Sequence, residues 1–228
     1  MHHTQQQPTR EGIDPTVIDS MVGEVRAKTW QALNDIKEMI VPGMSETEAI
    51  SCANRLFASR GVRKFWHKTH IRFGRSTTLG FNDPYDNTIL KEDDIFYLDV
   101  GPIWTTEDGK SIEADVGKTF VIGKDPARSA IVRDVEIIFG EMREHWLTTK
   151  ASGVELLQVA QKKSVQRGYV LHPSYVKGHR LSEFPHKIYG DGNLFDLQNS
   201  PSPARWVLEI QICSPDMQYG AFYEDLLV

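Results

Sequence analysis

Apolar positions along this chain follow two different periods, and the periods change in a repeating order. From Ile13 to Ile40 the residues Val17, Ile18, Met21, Val22, Val25, Trp30, Leu33 and Ile36 recur at helical spacing. Asp14 and Pro15 suit the first turn of that helix, and Val41-Pro42-Gly43 ends it. Ser45-Glu46-Thr47-Glu48 has the pattern of a capping box and opens a second helix through Ile50, Ala53, Leu56 and Phe57. Arg60-Gly61 stops that helix. The mixed aromatic and polar passage KFWHKTHIRFGRSTTLGFNDPYDN then predicts a short strand pair followed by a loop.

From Asp94 to Gly123 the period shortens to two, which predicts two strands joined by a turn. Tyr97, Asp99 and Gly101 share one face of the first, with Phe96, Leu98 and Val100 on the other. Glu113, Asp115, Gly117 and Thr119 share a face of the second, with Ala114, Val116 and Phe120 opposite. Asp125 and Pro126 open a third helix through Ile131, Val135, Ile138, Met142 and Trp146. A fourth runs from about Gly153 through Leu156 and Ala160 to Arg167-Gly168. Strand-like YVLHPSYV, an exposed loop from Gly190 to Pro203, and two strands, ARWVLEIQIC and YGAFYEDLLV, complete the chain. Two helices and then strands thus occur twice. The expectation is one α+β domain over residues 13–228, made of two related halves, behind a flexible polar arm at residues 1–12.

Composition narrows the function. The net charge of -5 gives no basic footprint for nucleic acid or an anionic membrane. No apolar run approaches the roughly 18 residues of a spanning helix. Cys52 and Cys213 are far apart and lack a CxxC spacing, so both are expected as reduced thiols of a cytoplasmic protein.

The chemistry lies in acidic residues embedded in apolar strands. Asp99 and Asp115 are 16 positions apart, Glu209 and Glu224 are 15 apart, and the two pairs are offset by 110 and 109 positions. Four carboxylates at such matched positions would repel strongly without a cation, which asks for divalent metal. Oxygen-rich ligation with one imidazole, from His179 or His186, suits manganese, cobalt, iron or zinc.

The order Asp99, Asp115, His179, Glu209, Glu224 resembles that of the pita-bread metallopeptidases: methionine aminopeptidase, aminopeptidase P and prolidase. The words LDVG, ADVGKTF, GH with a second histidine seven residues on, LE, YED and VPGMSETEA are similar to theirs as well. The resemblance implies a pita-bread fold, a curved antiparallel sheet with two helix pairs on its convex face. It also implies two divalent ions about 3.5–4 Å apart in the concavity. Asp115 and Glu224 would bridge the ions, Asp99 would hold one, and His179 with Glu209 would complete the other. Glu209 would handle the proton and His186 would face the substrate and stabilise the oxyanion.

The chain departs from the family at Arg180, at Ile210 and upstream of Asp99, where Leu79-Gly80-Phe81-Asn82 stands in place of a family histidine. His67, His70, Arg72, Phe81 and Arg180 are therefore the candidate substrate contacts, with Arg72 as an anion clamp. The leading expectation is a dinuclear aminopeptidase of Xaa-Pro or related type, acting on a small peptide. The alternatives are the same site acting on a non-peptide metabolite, by hydrolysis or oxidation, and a metal-free binding protein. A homodimer paired through the N-terminal arm or the Gly190–Pro203 loop is left open.

Overall fold

The computed structural model describes residues 19–84, 86–173, 177–181 and 192–228. Its elements are α1 (Asp19–Met39), α2 (Glu46–Ser59), β1 (Lys64–Phe65), β2 (His70–Phe73), β3 (Asp94–Val100), β4 (Pro102–Thr105), β5 (Ser111–Glu113) and β6 (Val116–Ile122). The second half follows with α3 (Pro126–Thr149), α4 (Gly153–Gln166), β7 (Val170–Leu171), β8 (His179–Arg180), β9 (Trp206–Cys213) and β10 (Gly220–Leu226). The expected arm at residues 1–12 lies outside the described residues.

A seven-stranded antiparallel sheet runs β2-β3-β6-β10-β9-β7, with β8 also on β9. Alternation along each strand sends one set of side chains to the helices and the other to the opposite face. Phe96, Leu98 and Val100 pack into a core with Leu33 and Ile36 of α1 and Phe57 of α2. Leu208, Ile210 and Ile212 do the same against Ile138 and Met142 of α3 and Leu156 of α4. The two helix pairs therefore cover two halves of one sheet face, and β6 beside β10 joins the halves.

Local chemistry sets these positions. Both Ser45 and Ser152 close capping boxes with the glutamate three residues on. Glu46, fully buried, accepts from the backbone N–H of Phe73 at 2.9 Å and of Thr88 at 3.3 Å. That carboxylate ties α2 to the end of β2 and so fixes the strand that carries His70. On β10, Asp225 faces the helices and takes both Arg26 Nε, at 2.6 Å, and the second guanidinium nitrogen, from α1. Cys52 and Cys213 are both unpaired thiols.

Four expectations are corrected. The Asp94–Gly123 stretch is not a simple hairpin: it breaks at Gly101 and at Ala114–Asp115, and β4 and β5 leave the main sheet to pair with β1 in a second sheet of three strands. The strands of KFWHKTHIRFG do not pair with each other, since β1 joins β4 and β2 joins β3. Of YVLHPSYV only Val170 and Leu171 form a strand among the described residues. The Gly190–Pro203 segment is not an exposed loop throughout, because Leu194, Phe195 and Leu197 are buried against α4, where apolar side chains outweigh the local turn composition.

Candidate metal centre

One row of residues crosses five strands on the face away from the helices. His70 stands opposite Asp99, Asp99 opposite Gly117, Gly117 opposite Glu224, and Glu224 opposite Glu209. Cross-strand partners point to the same side, so the row assembles three carboxylates and an imidazole from residues far apart in sequence. Gly117 sits in its middle and leaves the room they need. A Cβ there would come within 2.2 Å of the Phe222 ring and 3.2 Å of Glu224 Oε2.

Asp115, at the break before β6, reaches into the same space. The register is less symmetrical than the spacing suggests: Glu209 and Glu224 are directly opposed, whereas Asp115 lies two residues from the position opposite Asp99. Its carboxylate is almost wholly enclosed, and its two oxygens serve different neighbours. Oδ1 lies 3.2 Å from His67 Nε2, and Oδ2 lies 2.9 Å from His179 Nε2. His67 Nε2 is also 3.3 Å from Asp99 Oδ1, and His179 Nε2 is 3.5 Å from Glu209 and 3.6 Å from Glu224. Two groups of donor atoms result, His67–Asp99–Asp115 and Asp115–His179–Glu224, each with its atoms within 4.8 Å of one another.

The charges of this cluster are mutually dependent. Burial, reinforced by Asp115 and Glu209, pushes the Asp99 carboxyl up to about 8. Burial pushes Glu209 up to about 7, and drives Glu224 well above the carboxylate range with Asp115 and Glu209 beside it. Asp115 is buried too, but His67 and His179 outweigh that and hold it at about 2. Against its burial, His67 is pushed up to about 10 by Asp99 and Asp115. His70 moves the other way, to about 4, through burial and the nearby His67 and Arg72.

A divalent ion fits these donors. Among the described residues, Asp99 Oδ1 is buried and accepts no hydrogen bond, an arrangement that costs stability unless a cation meets it. The donor set is oxygen with imidazole, the chemistry of hard to borderline divalent metals.

The remaining candidates separate. His67 and His70 both reach the site face, and Phe81 lies beside them, its ring 4.3 Å from His70 and 5.7 Å from His67. Arg72 is not an anion clamp here: it is fully buried and donates to the carbonyls of Asp83 at 2.7 Å and Pro84 at 3.0 Å, bracing the loop that carries Phe81. Arg180 follows His179 in β8 and so takes the opposite face, where it is buried and donates to the Leu181 carbonyl. His186 lies outside the described residues. His172 is buried and donates to the Thr78 carbonyl, which makes it a structural tie between β7 and the 3₁₀ turn at Gly74–Thr78. Sequence reasoning missed Trp66, whose ring centroid is 4.4 Å from those of both His67 and His179. Its only sequence signal was its place next to His67.

Residues 22–201 match the metallopeptidase family M24, and the chain belongs to that family. Solved structures share the fold at low identity. The prolidase of Pyrococcus horikoshii OT3 is 17% identical over 92% of this chain and 57% of its own, with a TM-score of 0.69. The X-Pro aminopeptidase of Thermotoga maritima MSB8 is 18% identical over 89% of this chain and 55% of its own, with a TM-score of 0.67. A methionine aminopeptidase of Thermotoga maritima is 16% identical over 93% of this chain and 92% of its own, with a TM-score of 0.69. This chain thus spans little more than half the length of the prolidase and X-Pro aminopeptidase it matches. No protein of curated function matches it. Among the described residues no helix is long and apolar enough to cross a membrane.

Proposed function

We propose that this protein is a dinuclear metal-dependent hydrolase that removes the N-terminal residue of a small peptide, of Xaa-Pro or related type. The observation that carries the reading is Asp115, which turns one oxygen to each of two separate donor groups. Membership of a metallopeptidase family and the names of the three structural relatives support the substrate class.

Asp99, Asp115, His179, Glu209 and Glu224 would hold the ions, with Asp115 and Glu224 shared between them. Divalent ions bound there supply a polarised carbonyl and a water acidic enough to act as nucleophile near neutral pH. Glu209 suits the proton-handling role that the resemblance implies, since its carboxylate lies at the donor cluster, 3.5 Å from His179 Nε2. His70, kept neutral by burial and its cationic neighbours, offers a donor or acceptor without adding charge. Trp66 and the half-exposed Phe81 form an apolar wall beside the donors, suited to a small apolar side chain or a proline ring. The unpaired cysteines favour the cytoplasm.

The test is metal analysis joined to an activity panel. Protein purified without chelator and incubated with manganese, cobalt, iron or zinc should bind two ions per chain, and Asp115→Ala should lose both. Met-, Ala- and Xaa-Pro-peptides should be cleaved at their first bond with at least one metal. A protein that ignores all four metals sinks the metallohydrolase; metal binding with silence on every peptide moves the substrate to a non-peptide metabolite.

A further inference from the structure

We propose that His67 is a sixth metal ligand, so that each half of the centre carries one imidazole, His67 on the Asp99 side and His179 on the Glu209 side. The inference rests on the metal-dependent reading above, and it replaces the expectation that His67 contacts substrate. The ligand order Asp, Asp, His, Glu, Glu has no place for it; the geometry supplies one.

Three observations carry it. First, the two histidines are held in the same way. His67 Nδ1 donates to the carbonyl of the next residue, Lys68, at 2.7 Å, and His179 Nδ1 donates to the carbonyl of its next residue, Arg180, at 3.3 Å. An imidazole whose Nδ1–H is spent on a carbonyl presents the lone pair of Nε2, the tautomer in which histidine ligates metal. Each Nε2 then faces its own oxygen of Asp115.

Second, the distances suit a shared ion better than direct hydrogen bonds. Donors bound to one ion at about 2.1 Å stand roughly 3.0–3.4 Å apart, whether octahedral or tetrahedral. His67 Nε2 is 3.2 Å from Asp115 Oδ1 and 3.3 Å from Asp99 Oδ1. One Nε2 has one lone pair or one proton, and here it faces two carboxylate oxygens, the second of which accepts no hydrogen bond among the described residues. A cation among the three atoms satisfies all of them.

Third, the backbone makes way for this side chain. A Cβ on Gly101 would lie 2.4 Å from His67 Nε2 and 2.4 Å from Trp66 Nε1. The backbone N–H of Trp66 donates to the Gly101 carbonyl at 3.1 Å, which anchors the end of β1 just before His67 enters the site. A side chain at position 101 would displace His67 or Trp66 from these places.

The experiment counts imidazoles directly. Protein loaded with two equivalents of cobalt(II) is examined by proton NMR for hyperfine-shifted signals that vanish in D2O, each marking the Nδ1–H of a liganded histidine. Two are expected in the unaltered protein, and one of them should be absent from His67→Ala and from His67→Gln. In parallel, calorimetric titration of both variants should retain one tight ion and weaken the other by at least about tenfold, the loss that even an outer partner of a ligand causes. Asp99→Ala should weaken the same ion, with little added loss in the double variant. A single shifted N–H in cobalt-loaded protein, or variants that bind both ions as tightly as the parent, overturns the assignment while leaving the metal-dependent reading intact. Failure of the parent to bind cobalt overturns both. The count on the parent does not depend on any variant folding.

Discussion

Asp99 stands directly across the β3–β6 ladder from Gly117, and continuing that register to the strand ends sets Asp115 across from Gly101. The sequence Asp-Val-Gly occurs in both strands, so each aspartate faces the glycine of the other. The space left by the glycines is taken by their neighbours, His67 and Trp66 over Gly101 and Phe222 and Glu224 over Gly117.

Gly117→Ala tests the arrangement at its centre. The added Cβ would come within 2.2 Å of the Phe222 ring and crowd Glu224. Overpacking of this kind costs about 1–3 kcal/mol, and the displaced Glu224 should lower metal content below that of the parent. Thermal melts with elemental analysis measure both. Unchanged stability and full metal content would show that the row has slack the register does not suggest.

Much of this was legible in the sequence because burial and period act locally. The four helices follow from side-chain spacing within single turns, α2 with its capping box at Ser45 and α3 with Asp125 before its first turn. The acidic residues stood out because carboxylates flanked by Phe96, Leu98, Val116, Leu208 and Ile210 are costly without a partner. Strand pairing over long range was not legible. Nothing in KFWHKTHIRFG says that Lys64 pairs with Ile103 while His70 pairs with Asp99, so the approach of His67 to Asp115 was hidden. Arg72 misled for a related reason: its partners are backbone carbonyls of the Gly80–Pro84 loop, which leave no trace in side-chain pattern.

Phe81 should govern substrate affinity more than turnover. It is half-exposed, and its ring packs on His70 at the edge of the donor cluster. Phe81→Ala should raise KM about tenfold on the best peptide with kcat little changed, as loss of uniform apolar contact does. Phe81→Leu should recover most of the loss. A fall in kcat at constant KM would instead place the ring among the groups that act in the transition state.

The Arg26–Asp225 pair should matter to stability and not to metal. Asp225 neighbours Glu224 in β10 but faces the helices, where Arg26 of α1 engages both its oxygens. Removing the guanidinium strands a buried carboxylate, so Arg26→Ala should lose about 2–3 kcal/mol in urea unfolding. Metal content should stay at the parental value. A variant that unfolds normally but loses metal would mean that α1 positions Glu224 through β10.

Metal and pH should act on stability in opposite directions. Without metal, burial pushes Asp99 up to about 8 and Glu209 to about 7, and raises Glu224; Asp99 and Asp115 push His67 up to about 10. Unfolded carboxylates titrate near 4 and histidine near 6.5, so between about pH 4 and 10 the folded chain binds more protons than the unfolded one. Its stability must therefore fall as pH rises through that window. Asp115, held at about 2, has the reverse sign only below about pH 4, and His70, lowered to about 4, has it between about pH 4 and 6.5, where the three raised carboxylates outnumber it. Divalent ions compete with those same protons, so their stabilisation should grow with pH. In thermal melts, the gain from manganese over chelator should be small at pH 5. At pH 8 it should reach about 5–10 °C with the metal at 100 times its dissociation constant. A gain independent of pH would mean that manganese binds away from these carboxylates.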